Sequence, residues 1–197
     1  METFYLSETV MVHSKNELLY KSTEGNCRIY EVIFQSGEGI PPHSHPFGED
    51  CAIVLSGFLD YYISNEKTIH ASKGDVVFGW RNHIHGYINN STEPLHLLIL
   101  VAPSKIGLQY LKDDDLQIIH TSEYKRIMKQ SENRIESSSF SSFEKLIVDG
   151  TYSEPNYEEG VKVFIDCEGK IVHVFENRHV EITPKTPKRL IKYIVEN

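Results

Sequence analysis

The sequence predicts a mainly β protein: an all-β sandwich or barrel over residues 1–111, then a smaller α+β segment over residues 112–197. Three observations support this. Short runs rich in β-branched and aromatic residues recur at roughly 8–12-residue spacing through the first half, the pattern of a sandwich or barrel. Gly, Ser, Asp and Lys clusters separate these runs as turns do. Beyond Pro103 the chain turns polar, with apolar residues at helix-compatible positions.

The first clear strand is CRIYEVIFQ (27–35), closed by the turn chemistry of Ser36-Gly37-Glu38-Gly39. CAIVLSG and FLDYYIS follow, with Ser56-Gly57 as the break between them. KTIHAS, a turn at Lys73-Gly74-Asp75, and VVFGW come next, and HIHGYIN and LHLLILVA complete the set. A boundary is expected near residue 111. Past it, Tyr124, Ile127, Met128 and Ile135 suit a helix with Thr121 or Ser122 as N-cap. The serine cluster 137–142 reads as a loop. GVKVFIDCEGKIVHVFE reads as a β-hairpin around Asp166–Gly169. The terminal TPKRLIKYIVE reads as a helix, with Thr186 as N-cap and Pro187 in the first helical position. No internal repeat is visible, since nothing in the second half resembles His43-Ser44-His45. A degenerate second copy would have lost that chemistry.

Composition narrows the function classes. The chain has 197 residues, 40% hydrophobic and 24% charged, an ordinary globular balance that can bury a proper core. A formal net charge of −8 argues against a general nucleic-acid or anionic-membrane surface, because both reward clustered Lys and Arg. No run approaches the ~20 apolar residues needed to span a bilayer. METFYLSETV lacks the basic start and apolar run of a signal peptide. The 3 cysteines, Cys27, Cys51 and Cys167, have no metal-type spacing, and their odd number suits a reduced compartment. A cytoplasmic protein is expected.

The chemistry concentrates in HSHPFGEDCAIVLSG (43–57). Residues two apart on a strand share a face, so His43 and His45 project together if this segment is extended, as Pro41-Pro42 encourages. Imidazole is the commonest transition-metal side-chain ligand, and Glu49 or Asp50 offers an anionic donor. For His43 and His45 alone, a pair of surface histidines is the competing reading. GDVVFGWRNHIHGYINN (74–90) adds His83 and His85, followed by Asn89. Two strand segments carrying inward-capable histidines can meet inside one barrel.

Here the chain resembles the cupin superfamily. The first cupin motif, Gly, five residues, His-x-His, three or four residues, Glu, six residues, Gly, is matched by Gly37, His43, His45, Asp50 and Gly57. The second, Gly, five residues, Pro-x-Gly, two residues, His, three residues, Asn, is matched by Gly74, His85 and Asn89. The resemblance covers about residues 28 to 101. It implies a cupin-type antiparallel jelly-roll barrel holding one divalent metal ion (Fe, Mn, Ni, Co or Zn) on His43, His45, His85 and an acid. The spacing to Gly57 selects Asp50 as that acid, whereas Glu49 is the residue type the family uses. Adjacent strand residues face opposite ways, so only one of the two easily reaches the ion. In the second motif Trp80 replaces the usual proline, where it could shape the barrel mouth. Asn82 replaces the usual glycine and tolerates the left-handed conformation well. His83 is expected at a rim or turn.

Three histidines and a carboxylate leave an octahedral ion two open positions for water, dioxygen or a chelating substrate. Tyr30, Phe34, Tyr62, Phe78, Tyr87 and Ile88 supply candidate pocket walls, although ordinary core packing is the better explanation for any one of them. Arg28 and Arg81 are expected at the surface. The function expected is a small metal-dependent enzyme of dioxygenase, isomerase or decarboxylase type, acting on a hydroxylated or carboxylated metabolite. The alternative is a non-catalytic module that binds a small ligand or senses a metal. Exposed sheet edges suggest a homodimer. No catalytic residue beyond the ligands is singled out.

Overall fold

The structure, a computed structural model, describes residues 1–7, 13–64, 67–110, 126–155 and 159–196. The first half supplies β1 (Glu2–Tyr5), β2 (Lys15–Lys21), β3 (Arg28–Phe34), β4 (Gly39–Ser44), β5 (Glu49–Ser56), β6 (Phe58–Ser64), β7 (Lys67–Ser72), β8 (Val76–Gly79), β9 (His85–Ile88), β10 (Leu95–Ala102) and β11 (Gln109–Tyr110). The second half supplies β12 (Ile127–Met128), β13 (Ile135–Ser137), β14 (Ser141–Val148), β15 (Tyr152–Glu154), β16 (Gly160–Asp166), β17 (Ile171–Glu176), β18 (Val180–Ile182) and β19 (Lys188–Glu196). No α-helix occurs among the described residues. Nor, among them, is any helix long and apolar enough to cross a membrane.

These strands form four stacked layers. A sheet ordered β11-β4-β9-β6-β7 faces one ordered β12-β8-β5-β10-β3-β2 to make the first sandwich. A sheet ordered β1-β17-β16-β19-β14-β13 faces the β15-β18 pair to make the second. The two six-stranded sheets pack on each other through Cys51, Ile53, Phe78 and Leu100 on one side and Phe143, Val163, Ile191 and Tyr193 on the other. Separate cores fill each sandwich, around Val54, Tyr61, Tyr87 and Leu97 in the first and Phe164, Phe175 and Val180 in the second.

Layering explains the apolar runs. A strand covered on both faces has no solvent side, so alternation disappears. Every residue of LHLLILVA in β10 and of GVKVFID in β16 is buried. The hairpin expected around Asp166–Gly169 is present as β16–β17, with Asp166 paired to Ile171.

The α+β expectation for the C-terminal segment is overturned. TPKRLIKYIVE is not a helix: Lys188–Glu196 is β19, the strand between β14 and β16. Leu190, Ile191 and Val195 fit a helical stripe only because β19 buries side chains on both faces, Leu190 into the second core and Ile191 and Val195 between the sheets. Ile127–Met128 pairs with β8 as strand, and Ile135 opens β13. Tyr124 and the expected caps Thr121 and Ser122 lie outside the described residues, as does the boundary near residue 111. The serine cluster, expected as a loop, spans the end of β13, a short turn and the start of β14.

A repeat does exist, in topology. Strand order β2-β3-β10-β5-β8-β12 in the first large sheet matches β13-β14-β19-β16-β17-β1 in the second, and β4-β9 matches β15-β18. The β6–β7 hairpin has no counterpart, because β16 and β17 are joined directly. The halves also exchange strands: β1 completes the second sandwich beside β17, and β12 completes the first beside β8.

Candidate metal centre

The site lies inside the first sandwich, where β4, β5 and β9 converge. Pro41 and Pro42 cannot continue a regular ladder, and the β4–β9 register shifts between Ile40 and His43. Pairing resumes with His43 opposite His85. His45 lies just past the end of β4. Asp50, the second residue of β5, pairs with Gly79 of β8. All four side chains are buried, and their ligating atoms fall within 4.8 Å of one another. The Nε2 atoms of His85, His45 and His43 stand 2.6, 3.4 and 3.9 Å from the Asp50 carboxylate.

The hydrogen bonds of the outer ring nitrogens determine what this cluster can bind. Nδ1 of His43 faces the Pro41 carbonyl at 2.7 Å, that of His45 the Gly107 carbonyl at 2.6 Å, and that of His85 the His83 carbonyl at 2.9 Å. A carbonyl only accepts, so each Nδ1 carries the proton and each Nε2 turns a bare lone pair inward. Nε2 of His45 and of His85 is buried without a hydrogen-bond donor. An ionised carboxylate adds only more acceptors. Burial alone would raise the Asp50 pKa, but the imidazoles in their protonated, donating form, His85 foremost, hold it well below the usual carboxylate range. Positive charge at this position thus stabilises the carboxylate as an anion. Burial also pushes His85 down, while contact with Asp50 outweighs burial and raises His45. Four inward acceptors with no donor among them fit a cation. Three imidazoles, one carboxylate and no thiolate fit a divalent transition metal.

The surroundings are equally specific. Tyr87 donates its hydroxyl to Asp50 at 3.1 Å. A side chain at Gly79 would place its Cβ 2.7 Å from Nε2 of His85 and closer still to the Asp50 carboxylate, so the β8 backbone itself forms one wall. The Tyr61 ring lies 6.1 Å from that of His85, 30° from parallel. Arg126, 1% exposed, lies over the Tyr61 ring with its guanidinium carbon 5.7 Å from the ring centre.

Of the residues singled out in the sequence, His43, His45, Asp50 and His85 come together, and Glu49 does not. Glu49 points through the opposite face of β5 into the layer between the large sheets, where it accepts from Ser141. Burial raises its pKa to about 7. His83 is half-buried in the β8–β9 turn and contributes its carbonyl to His85. Asn82 has φ 62°, the left-handed conformation that the motif glycine would adopt. Asn89 is buried and braces the turn through the Phe34 and Glu93 carbonyls. Tyr30, Phe34 and Tyr87 pack with the first core. Phe78 faces the inter-sheet layer, with Trp80 stacked on it at 4.6 Å, so Trp80 belongs to that layer's packing. Ile88 is exposed. Arg81 is exposed, whereas Arg28 is partly buried against Tyr30. Tyr61 and Arg126 carried no sequence signal. Both become visible only through contact with His85 and its loop.

The corresponding interior of the second sandwich holds ion pairs instead. Lys192 and Lys162 converge on Glu154, which Tyr152 also contacts. Among the described residues, the His43–His45–Asp50–His85 group is the one cluster with metal-ligand character.

Fold and site together define a double-stranded β-helix protein with a three-histidine, one-carboxylate centre. Residues 30–101 match the family model described as a cupin domain, so this stretch of the first sandwich is similar to cupin domains. No curated protein matches the chain. Among solved structures it is similar to a salicylate 1,2-dioxygenase from Pseudoaminobacter salicylatoxidans in complex with gentisate (TM-score 0.68, 11% identity, 86% of this chain and 69% of that one). It is also similar to AerE from Microcystis aeruginosa (TM-score 0.63, 15% identity, 99% and 97%). The 7S globulin of Momordica charantia shares the fold as well (TM-score 0.59, 10% identity, 99% and 84%).

Proposed function

We propose that the protein is a small metal-dependent enzyme, of dioxygenase, isomerase or decarboxylase type, acting on a hydroxylated or carboxylated metabolite. One divalent ion would be held by His43, His45, Asp50 and His85. The observation that carries the reading is the convergence of buried lone pairs on Asp50, each imidazole locked in one tautomer by a backbone carbonyl. Bound there, a divalent ion supplies Lewis acidity and, if redox-active, dioxygen chemistry. The chain's own part is to orient the three rings, keep Asp50 ionised, and exclude water with Tyr61, Tyr87 and the Gly79 backbone.

Charge favours an anionic metabolite. Arg126 forms no ion pair among the described residues, and a divalent ion on a single carboxylate adds further positive charge in the same buried region. A carboxylate offsets that charge where a neutral sugar does not. The salicylate 1,2-dioxygenase of similar fold, solved with gentisate, makes hydroxylated aromatic carboxylates a sensible start for a substrate panel. Residues 1–111 carry the chemistry in this reading. Homodimer formation through exposed sheet edges belongs to it too.

The test is elemental analysis of protein purified without a metal-affinity tag, paired with oxygen uptake and product analysis across that panel. Stoichiometric metal is expected in the wild type and in Glu49→Ala, and its loss in His43→Ala, His85→Ala and Asp50→Ala. Metal retained in the histidine variants would overturn the site.

A further inference from the structure

We propose that Arg126 is a positioning residue for this centre, holding the β8–β9 loop so that His85 presents Nε2 to the ion. The inference rests on the metal reading and deepens it, and it concerns a residue outside the segment that matches the cupin domain.

Arg126 grips both ends of one loop. Its Nε donates to the Phe78 carbonyl at 2.9 Å, and its Nη2 donates to the Ile84 carbonyl at 2.9 Å. Phe78 precedes Gly79, the wall against Asp50, and Ile84 immediately precedes His85. One planar guanidinium therefore spans the segment that separates the wall from the ligand. The backbone locks the same place, since the Phe78 N–H donates to the Arg126 carbonyl at 3.0 Å and β12 pairs with β8. A second route reaches the ring itself. Nη2 of Arg126 lies 3.4 Å from the Tyr61 hydroxyl, and Tyr61 stacks on His85. Between the clamped ends, the loop closes through His83 N–H to the Trp80 carbonyl at 2.9 Å and Asn82 N–H to the His45 carbonyl at 3.0 Å.

A lysine cannot reproduce this. Its ammonium is a single point on a flexible stem, whereas the guanidinium fork holds two acceptors at a fixed separation. Partners that orient ligands in this way typically govern metal affinity by about 10–100-fold.

The experiment is titration of the metal-free full-length wild type, Arg126→Met, Arg126→Lys and Tyr61→Phe with Co2+. Affinity would be read by calorimetry and ligand geometry by the visible Co2+ spectrum, with circular dichroism and thermal melting as the fold check. Expected are roughly tenfold or weaker binding and an altered spectrum in both Arg126 variants, with a smaller change in Tyr61→Phe. A folded Arg126 variant with wild-type affinity and spectrum overturns the inference, even if it melts lower, because lowered melting alone is what a merely structural role produces. If Arg126→Met does not fold, Arg126→Lys decides by the same readouts. If neither folds, an unchanged spectrum and affinity in Tyr61→Phe overturns it. Absence of Co2+ uptake by the wild type overturns the metal reading itself, and this inference with it.

Discussion

The carbonyl of Gly107 accepts the Nδ1–H of His45 at 2.6 Å, joining residues 62 positions apart. This bond turns the His45 lone pair inward, and β11, which follows Gly107, pairs Tyr110 with His43. The segment after β10 thus orients His45 and borders His43.

That relationship predicts the effect of Gly107→Ala. Gly107 has φ +68°, and its added Cβ would meet the Phe47 ring at 3.0 Å. Strain of about 1 kcal/mol and a displaced carbonyl are expected. Metal affinity should fall by roughly tenfold, measurable by competition with a chromophoric chelator. Unchanged affinity would show that the His45 orientation survives without this carbonyl.

Metal removal should act differently on the wild type and on Asp50→Asn. Chelation lowers the wild-type melting temperature, because an ion that binds only the folded state stabilises it by mass action, about 4 kcal/mol at a thousandfold excess over Kd. Asp50→Asn should show almost no chelation shift, since an amide offers neither charge nor a second strong donor. Its amide N–H groups can also donate to the bare Nε2 of His85, so the metal-free variant should melt no lower than the metal-free wild type. Differential scanning fluorimetry with and without EDTA checks both statements.

The layer between the large sheets should make the two sandwiches unfold together. Phe143 is fully buried, with its ring 5.3 Å from Phe78 of the first sandwich and 4.6 Å from Tyr193 of the second. Phe143→Ala should cost about 3–5 kcal/mol while leaving a single denaturation transition by fluorescence and circular dichroism. Two separated transitions would mean that each half folds alone.

Acid should destabilise the same layer through Glu31 and His96, whose side chains meet at 2.8 Å. Burial lowers the His96 pKa, so the unfolded chain takes up this proton first and stability declines once pH falls below about 6.5. Burial alone would raise the Glu31 pKa, but Lys15, the Ser7 N–H and His96 lower it. The Glu31 contribution is therefore complete above the unfolded value of about 4.3 and is lost as pH falls through the lower folded value. Denaturant titrations across pH 3–8 should show His96→Gln flattening the upper part of this decline and Glu31→Gln the lower part.

Local periodicity put His43 and His45 on one face and Glu49 and Asp50 on opposite ones. His85 and the preference for Asp50 over Glu49 came from the resemblance to the cupin motifs. The structure gathers His43, His45, Asp50 and His85 and puts Glu49 in the layer behind. β3 and β5 to β10 were legible too, since turn residues separate them, whereas β1, β2 and β11 were not read as strands. Nor was the terminal strand. Burial on both faces of Lys188–Glu196 erased the alternation that distinguishes strand from helix. The topological repeat was equally hidden, because strand order survives after Lys162, Lys192 and Glu154 occupy an interior where the first half has histidines.

By itself the sequence paired His43 with His45 and offered His85 and either Glu49 or Asp50 as their companions, since residue type and period-two geometry are properties of short segments. Only the tertiary structure decided that the second half repeats the first, that the halves exchange edge strands, and that Arg126 and Tyr61 stand behind His85. Those outcomes depend on which distant segments cover each face of a sheet. That choice is made by burial summed over the whole chain, which no short window contains.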